Sequence, residues 1–357
     1  MRNFRADERI SIELRDLYRR MGYMPYKVSQ FEEYDLYMRN KRFLASEQVL
    51  SFSDMDGKLM ALKPDVTLSI IKNTQDDGDT RKLCYAERVY RVPRGAHSFK
   101  EIMQTGLEVI GSVDAYAMGE VLMLAAKSLA VISGSWALDI ADLGIVSGIL
   151  AQTDLTESER AQLLALISDK NLHGLKALCE EMKVDEKTAA LLASLISTYG
   201  PLEMTLPLFE AMALPEACAG AIADLRAVCD MMKVYGVEHI NLDFSVVNDM
   251  NYYNGLIFSG FIDGIPQSIL SGGRYDLLMK KMGRRAQAMG FAVYLDQLDR
   301  LEGEAPQSDV DLLITYGKDT PWETVIAAAQ QAMANGETVR VQPEGETALR
   351  SSRVVRM

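Results

Sequence analysis

The sequence predicts an α+β fold with a helical insertion, followed by a small α/β unit of about fifty residues. Three observations carry this. Strand-like runs cluster at 82–111 and again at 239–272. The segment from about 144 to 236 shows helical periodicity only. The last part of the chain reads as a compact βαβ unit.

In chain order, Ile10, Leu14, Leu17, Tyr18 and Met21 fall at helical spacing, and Gly22 is a stop for this amphipathic opening helix. "YMPYKVSQFEEYDLY" reads as a strand and a short helix. "VLSFSDMDGKLMALKPD" reads as a hairpin turning at Asp56-Gly57, a pair suited to positive φ. "VTLSIIKNT" begins the next helix. Two strands follow, "KLCYAERVYRV" and "EIMQTGLEVIG", joined by the polar loop "PRGAHSFK". Asp114 caps a helix in which Met118, Val121, Leu122, Ala125 and Leu129 share a face. After the helical segment, with breaks at "SDKN" and "YGP", strands are expected at 239–247, 251–262 and 265–272. Beyond "EGEAPQSD", "VDLLITYG" is a strand. Thr320-Pro321-Trp322-Glu323 combines a capping box with Pro at the first helical position. Gly336 ends that helix, and "ETVRVQ" is a further strand.

Composition narrows the function classes. At 357 residues the chain is long enough for two or three domains, and 48% apolar with 25% charged residues is ordinary for a globular protein. Lys plus Arg total 38 against 50 Asp plus Glu, a net charge of −12, which opposes a broad phosphate-binding surface. Four cysteines without a CxxC pair and three histidines oppose a zinc site and suit a reducing cytoplasm. The charged opening "MRNFRADERISIELRDLYRR" lacks the apolar stretch of a signal peptide. The apolar run near 121–132, interrupted by Lys127, is too short to span a bilayer. The expectation is a cytoplasmic protein with no membrane segment.

Strand alternation in "MQTGLEVIG" puts Met103, Thr105, Leu107 and Val109 on one face and Gln104, Gly106, Glu108 and Ile110 on the other. The second face presents an amide and a carboxylate with a glycine between them, which points to close approach by a ligand or another backbone as against a plain solvent face. Asp65 and Thr67 in "LKPDVT" sit where helix capping is the plainer reading. In "SILSGGRYD", Gly272 and Gly273 precede Arg274, Tyr275 and Asp276, as a turn or a place where backbone meets ligand. In "NDMNYYNGLIF" the strand expected over 251–262 would turn Tyr252 and Tyr253 to opposite faces, so one faces a pocket and the other packs.

Taken together, "LKPDVT", "YRVPRG…MQTGLEVIG", "MNYYNGLIF", "SGGRYD" and "MGFAVYLDQL" resemble, in the same order, the catalytic domain of histidyl-tRNA synthetase, over roughly residues 5–303. The resemblance implies a class II synthetase-like antiparallel sheet flanked by helices over 1–303, with the insertion at about 144–236 and a truncated α/β unit at 304–357. It implies dimerisation through the region around 40–75. It also implies that Asp65 and Thr67 hold an amino acid's ammonium and that Gln104 lies near its carboxylate. Glu108 and Tyr253 would bracket an imidazole, whose two ring nitrogens one acceptor and one hydroxyl can satisfy. Tyr252 is left to packing or to the pocket wall, alongside Gly106, Gly273, Arg274 and Tyr275. No cofactor or metal is implied.

The departures from the family pattern are as informative. Asn248 replaces the arginine of the family's "R-G-L-D-Y-Y", and Gln297 replaces the arginine of the third class motif. Arg91, the second-motif arginine, is kept as a residual nucleotide or anion contact, but Pro93 replaces an acidic residue beyond it. Adenylate formation needs fixed positive charge near the α-phosphate, so synthetase chemistry is expected to be lost and the amino-acid pocket kept. The resemblance implies that the C-terminal unit corresponds to about half an anticodon-binding domain, which with the acidic charge leads to the expectation that tRNA is not charged. The pattern is similar to the regulatory subunit family of ATP phosphoribosyltransferase. In that family the subunit pairs with a short-form catalytic subunit, activates it and confers inhibition by histidine. Two other readings stay open: a synthetase-like enzyme acting on a non-tRNA acceptor, and a dimeric scaffold that senses nothing.

Overall fold

The structure is a computed structural model that describes residues 5–44, 48–92, 97–247, 252–300 and 308–357. Asn248 and Pro93, both singled out in the sequence, lie outside the described residues. The chain divides into two compact units, Met1–Leu301 and Glu302–Met357.

The first unit is organised by a nine-stranded sheet. Its order is Met24–Pro25, Arg81–Arg91, Lys100–Gly111, Gln287–Tyr294, Ile265–Arg274, Leu256–Ile262, Trp136–Asp142, Ile240–Leu242 and Gly200–Pro201. The six strands from Arg81–Arg91 to Trp136–Asp142 pair antiparallel throughout. Parallel pairing is confined to the two flanks.

One face of this sheet carries the main core. The opening helix, Ala6–Arg20, buries Ile10, Leu14 and Tyr18 as its spacing requires. Its buried hydroxyls are satisfied across the interface: Ser11 Oγ meets Thr105 Oγ1 at 3.0 Å, and Tyr18 OH meets Ser128 Oγ at 2.9 Å. The helix Ala115–Ile132 starts where Asp114 accepts the N–H of Ala117, and all five residues of its expected face are buried. This helix is longer than the apolar run read from sequence. By length and composition it passes the test for crossing a membrane, yet 67% of it is buried inside the protein, as befits a core helix.

Several elements differ from the sequence expectations. Trp136–Asp142, absent from the sequence reading, is a strand inside the sheet, and it passes straight into the helix Leu143–Leu150. The helical segment is interrupted by Gly200–Pro201, which pairs with Ile240–Leu242 at the sheet edge. The strand expected over 251–262 begins only at Leu256. Phe31–Glu33, Leu59–Leu62 and Ser51–Ser53 form a separate antiparallel sheet whose hairpin turns with Gly57 at φ 78°, as expected of Asp-Gly.

The second unit has Val310–Tyr316 between Val339–Pro343 and Ser351–Arg356, all parallel, with the helix Trp322–Ala334 packed through Val325 and Ala332. The third strand was not anticipated. Pro321 precedes the helix as its cap residue and does not open it. Thr320 does not complete a capping box: its hydroxyl accepts from the Gly317 N–H and donates to the Met357 carbonyl, each at 3.0 Å.

Candidate functional site

The other face of the large sheet forms the floor of a cavity of about 390 Å³, within the range usual for small-molecule sites. Strand register dictates the floor. Leu83, Glu108, Gly290, Gly273 and Ile257 lie in one row across five strands. The next row is Tyr85, Gly106, Ala292, Ser271 and Ser259. The alternation read in "MQTGLEVIG" therefore sends Gln104 and Glu108 to the cavity, while Leu107 and Val109 enter the main core.

Glu108 is the centre of the floor. It is only 2% exposed, and its carboxyl accepts from Thr67 Oγ1 at 2.9 Å on one oxygen and from Tyr275 OH at 2.7 Å on the other. Burial pushes its pKa up to about 8. The hydrogen bonds from Tyr275 and Thr67 oppose that rise, and the charge of Asp65 adds to it. A carboxylate has about four lone-pair sites, so two remain for a ligand's donors. Glycine at 290 makes this arrangement possible: a Cβ there would lie 1.8 Å from Glu108 Oε2.

Asp65, Thr67, Gln104, Glu108, Tyr252 and Tyr253 all line the cavity, together with Arg91 and Tyr275. Asp65 also has the plainer role expected of it, accepting the Leu68 N–H at 2.8 Å in the first turn of the helix Thr67–Asn73. Burial raises its pKa, opposed by the Leu68 N–H, the Arg91 charge and the Thr67 N–H. Two carboxyls made costly to ionise by burial favour a ligand that brings cationic or N–H donors to them.

The two tyrosines are not split between faces. They precede the strand, their ring centroids are 4.6 Å apart, and both reach the cavity wall. Tyr252 also stacks toward Tyr275 at 5.9 Å, and burial drives the phenols of both Tyr252 and Tyr275 well above their ordinary value, so both stay neutral.

Three of the expected wall positions are not among the lining residues. The space over Gly106 is taken by Tyr85 and the Phe291 carbonyl: an added Cβ would lie 2.6 Å from Tyr85 OH and 2.3 Å from that oxygen. The Tyr253 ring lies over Gly273, where a Cβ would come within 2.7 Å of it. Arg274 turns away to pair with Asp276 at 2.8 Å. Cavity residues that sequence reasoning missed include Tyr85, Ser259, Ser271 and Tyr294. The last two share a hydrogen bond of 2.6 Å. Ser271 and Tyr294 stand inside the quoted motifs and Ser259 directly follows one, but only the register across strands brings all four to one floor.

Arg91 lies over the Tyr294 ring at 5.6 Å and is the only basic lining residue among those described. Gln297 also lines the cavity, and its buried Oε1 has no hydrogen-bond partner among the described residues.

If Glu108 receives a ligand N–H, Glu108→Ala should weaken histidine binding by about 1.5–3 kcal/mol, a ten- to hundredfold loss by calorimetry. Leu107→Ala, on the opposite face, should lower stability before affinity. The pH dependence has a definite sign. Glu108 binds its proton more tightly folded (about 8) than unfolded (4.5), so its contribution to stability is full below the unfolded value and is lost as pH rises through about 8. Glu108→Gln should flatten that part of the stability profile. An unaltered profile would contradict the burial argument.

Comparison with known proteins fits this geometry. A profile of the histidyl-tRNA synthetase family matches residues 2–298. The ATP phosphoribosyltransferase regulatory subunit of Alkaliphilus metalliredigens is 29% identical over 286 residues, 78% of this chain and 72% of that protein. The protein of the same name from Acetivibrio thermocellus is 27% identical, over 90% of this chain and 80% of its own. Among solved structures, the ATP phosphoribosyltransferase regulatory subunit/histidyl-tRNA synthetase from Bacillus halodurans superposes with a TM-score of 0.85 at 24% identity, covering 98% of this chain and 93% of that one. The ATP phosphoribosyl transferase (HisG:HisZ) complex from Thermotoga maritima matches with a TM-score of 0.63 at 19% identity, covering 80% of this chain and 96% of that one. The structures establish the synthetase-like class II fold, and the profile, spanning most of the chain, places this protein in the histidyl-tRNA synthetase family.

Proposed function

We propose that this protein is a non-catalytic regulatory subunit of ATP phosphoribosyltransferase. It activates a short-form catalytic subunit in the first step of histidine biosynthesis and senses free histidine for feedback inhibition. The observation that carries this reading is the make-up of the cavity. It gathers Asp65, Thr67, Gln104, Glu108, Tyr252 and Tyr253, while Arg91 is its only basic residue among those described and Gln297 is neutral where adenylate chemistry needs fixed positive charge. The regulatory-subunit names of the Alkaliphilus and Acetivibrio relatives, and the HisG:HisZ complex among the structural neighbours, point the same way.

In this reading Asp65 and Thr67 take the ammonium of histidine, Gln104 lies by its carboxylate, and Glu108 and Tyr253 hold the imidazole. Arg91 is a residual anion contact. The protein is cytoplasmic and dimerises through the region around 40–75, and neither tRNA nor a membrane takes part. Arg91, which lines the cavity, and the "SGGRYD" motif favour the alternative of an enzyme activating an amino acid for another acceptor.

Two measurements separate these readings. Calorimetry should show histidine binding, and ATP–pyrophosphate exchange should stay at background with every amino acid. Exchange well above background would establish the enzyme reading in its place, and absence of histidine binding would leave a scaffold.

A further inference from the structure

We infer that Asn254 is a positioning residue for the histidine pocket, fastening the Tyr252–Tyr253 segment to the "GRYD" turn that carries Tyr275. This rests on the proposed histidine reading for its functional consequence, but the geometry stands by itself.

Asn254 follows Tyr253 directly and makes contacts in three directions. Its N–H donates to the Arg274 carbonyl at 3.0 Å. Its side-chain oxygen accepts the Leu277 N–H at 3.2 Å, in the first turn of the helix Asp276–Lys281. Its side-chain nitrogen points to Asp276 Oδ2 at 3.5 Å.

That turn is itself fixed. Asp276 accepts Arg274 Nε at 2.8 Å on one oxygen and the Ala288 N–H at 3.0 Å on the other, which ties it to the neighbouring strand. The Arg274 stem packs against Gly255, where a Cβ would lie 3.3 Å from Arg274 Cδ.

The consequence is geometric. The segment that carries two pocket tyrosines is held to the turn whose Tyr275 OH reaches Glu108. Tyr253 then rests over Gly273 and Tyr252 over Tyr275. The ring positions depend on where the backbone of residue 254 is pinned, and Asn254 never touches the ligand site itself: it is not among the cavity's lining residues.

The test compares Asn254→Ala with Asn254→Asp. Asp keeps an oxygen where the Asn254 side chain accepts the Leu277 N–H and loses only the 3.5 Å contact to Asp276. Two readouts apply to the full chain. One is the histidine dissociation constant by calorimetry. The other is the rate of tetranitromethane nitration of the peptide containing Tyr252 and Tyr253 in ligand-free protein, with the Tyr85 peptide as internal reference. Asn254→Ala should bind histidine several-fold more weakly and nitrate several-fold faster at Tyr252 and Tyr253, with Tyr85 unchanged, while Asn254→Asp lies nearer wild type on both. Wild-type nitration in Asn254→Ala, or equal losses in the Ala and Asp variants, would overturn the assignment. If wild-type protein does not bind histidine, the function proposed above falls, and the nitration comparison still decides the role of Asn254.

Discussion

Gly290→Ala should abolish measurable histidine binding. Gly290 faces Glu108 across the central strand pair. A Cβ at this position would lie 1.8 Å from Glu108 Oε2 and 2.3 Å from the Leu107 carbonyl oxygen. The carboxyl can swing aside, but the backbone oxygen cannot. Either the strands part or Glu108 gives up its bonds from Thr67 and Tyr275. Overpacking of this kind typically costs about 1–3 kcal/mol of stability. The loss of affinity should exceed the hundredfold upper bound expected for removing the Glu108 contact alone, at about 3 kcal/mol, because the floor itself is displaced. Gly220→Ala is the control: nothing lies within 4 Å of a Cβ there, and the residue belongs to the helix Ala219–Tyr235. It should bind histidine as wild type does. A Gly290→Ala protein that is folded and binds normally would mean that Glu108 is not where the ligand sits.

How far the sequence alone reached can be argued from particular residues. The opening helix and the Asp114-capped helix were legible because each has one apolar face and a recognisable stop or cap. Trp136–Asp142 was not. Asp142 is both the last residue of the strand and the cap of the next helix, accepting the Gly144 N–H at 2.7 Å, so no Gly or Pro marks the boundary. Glu108 and Gln104 could be read from period-two alternation within one strand. Tyr85, Ser271 and Tyr294 could not: the last two stand inside quoted motifs, but their place beside Glu108 and Gln104 comes from pairing between strands, and a single sequence carries no register. The tyrosine pair shows a third kind of failure. Alternation assumes an extended backbone, but at Asn254 the chain bonds back to Arg274, and both rings end on one side. The wall position assigned to Arg274 failed for a simpler reason: Asp276, two residues on, is the nearer and stronger partner.

The largest effect is expected from reconstitution with a short-form ATP phosphoribosyltransferase catalytic subunit. On the proposed reading, with an amino-acid pocket kept and adenylate chemistry lost, the chain acts on metabolism by passing binding energy to another protein. The catalytic subunit alone should be nearly inactive, and adding this protein should switch on phosphoribosyl-ATP formation. Histidine should then inhibit. Coupling between two sites is reciprocal and typically about 1–3 kcal/mol, a five- to 150-fold change in affinity. Histidine can therefore inhibit only by favouring a less active state of the assembly, and substrates that favour the active state must weaken histidine binding by the same factor. Glu108→Ala should shift the histidine concentration needed for inhibition upward ten- to hundredfold, in parallel with its loss of affinity for histidine. Parallel shifts would tie the inhibition to this cavity. Inhibition at unchanged histidine concentration would place the sensing site elsewhere. A catalytic subunit from the same organism that is fully active and histidine-sensitive alone would leave this protein no regulatory task, and the scaffold reading would take its place.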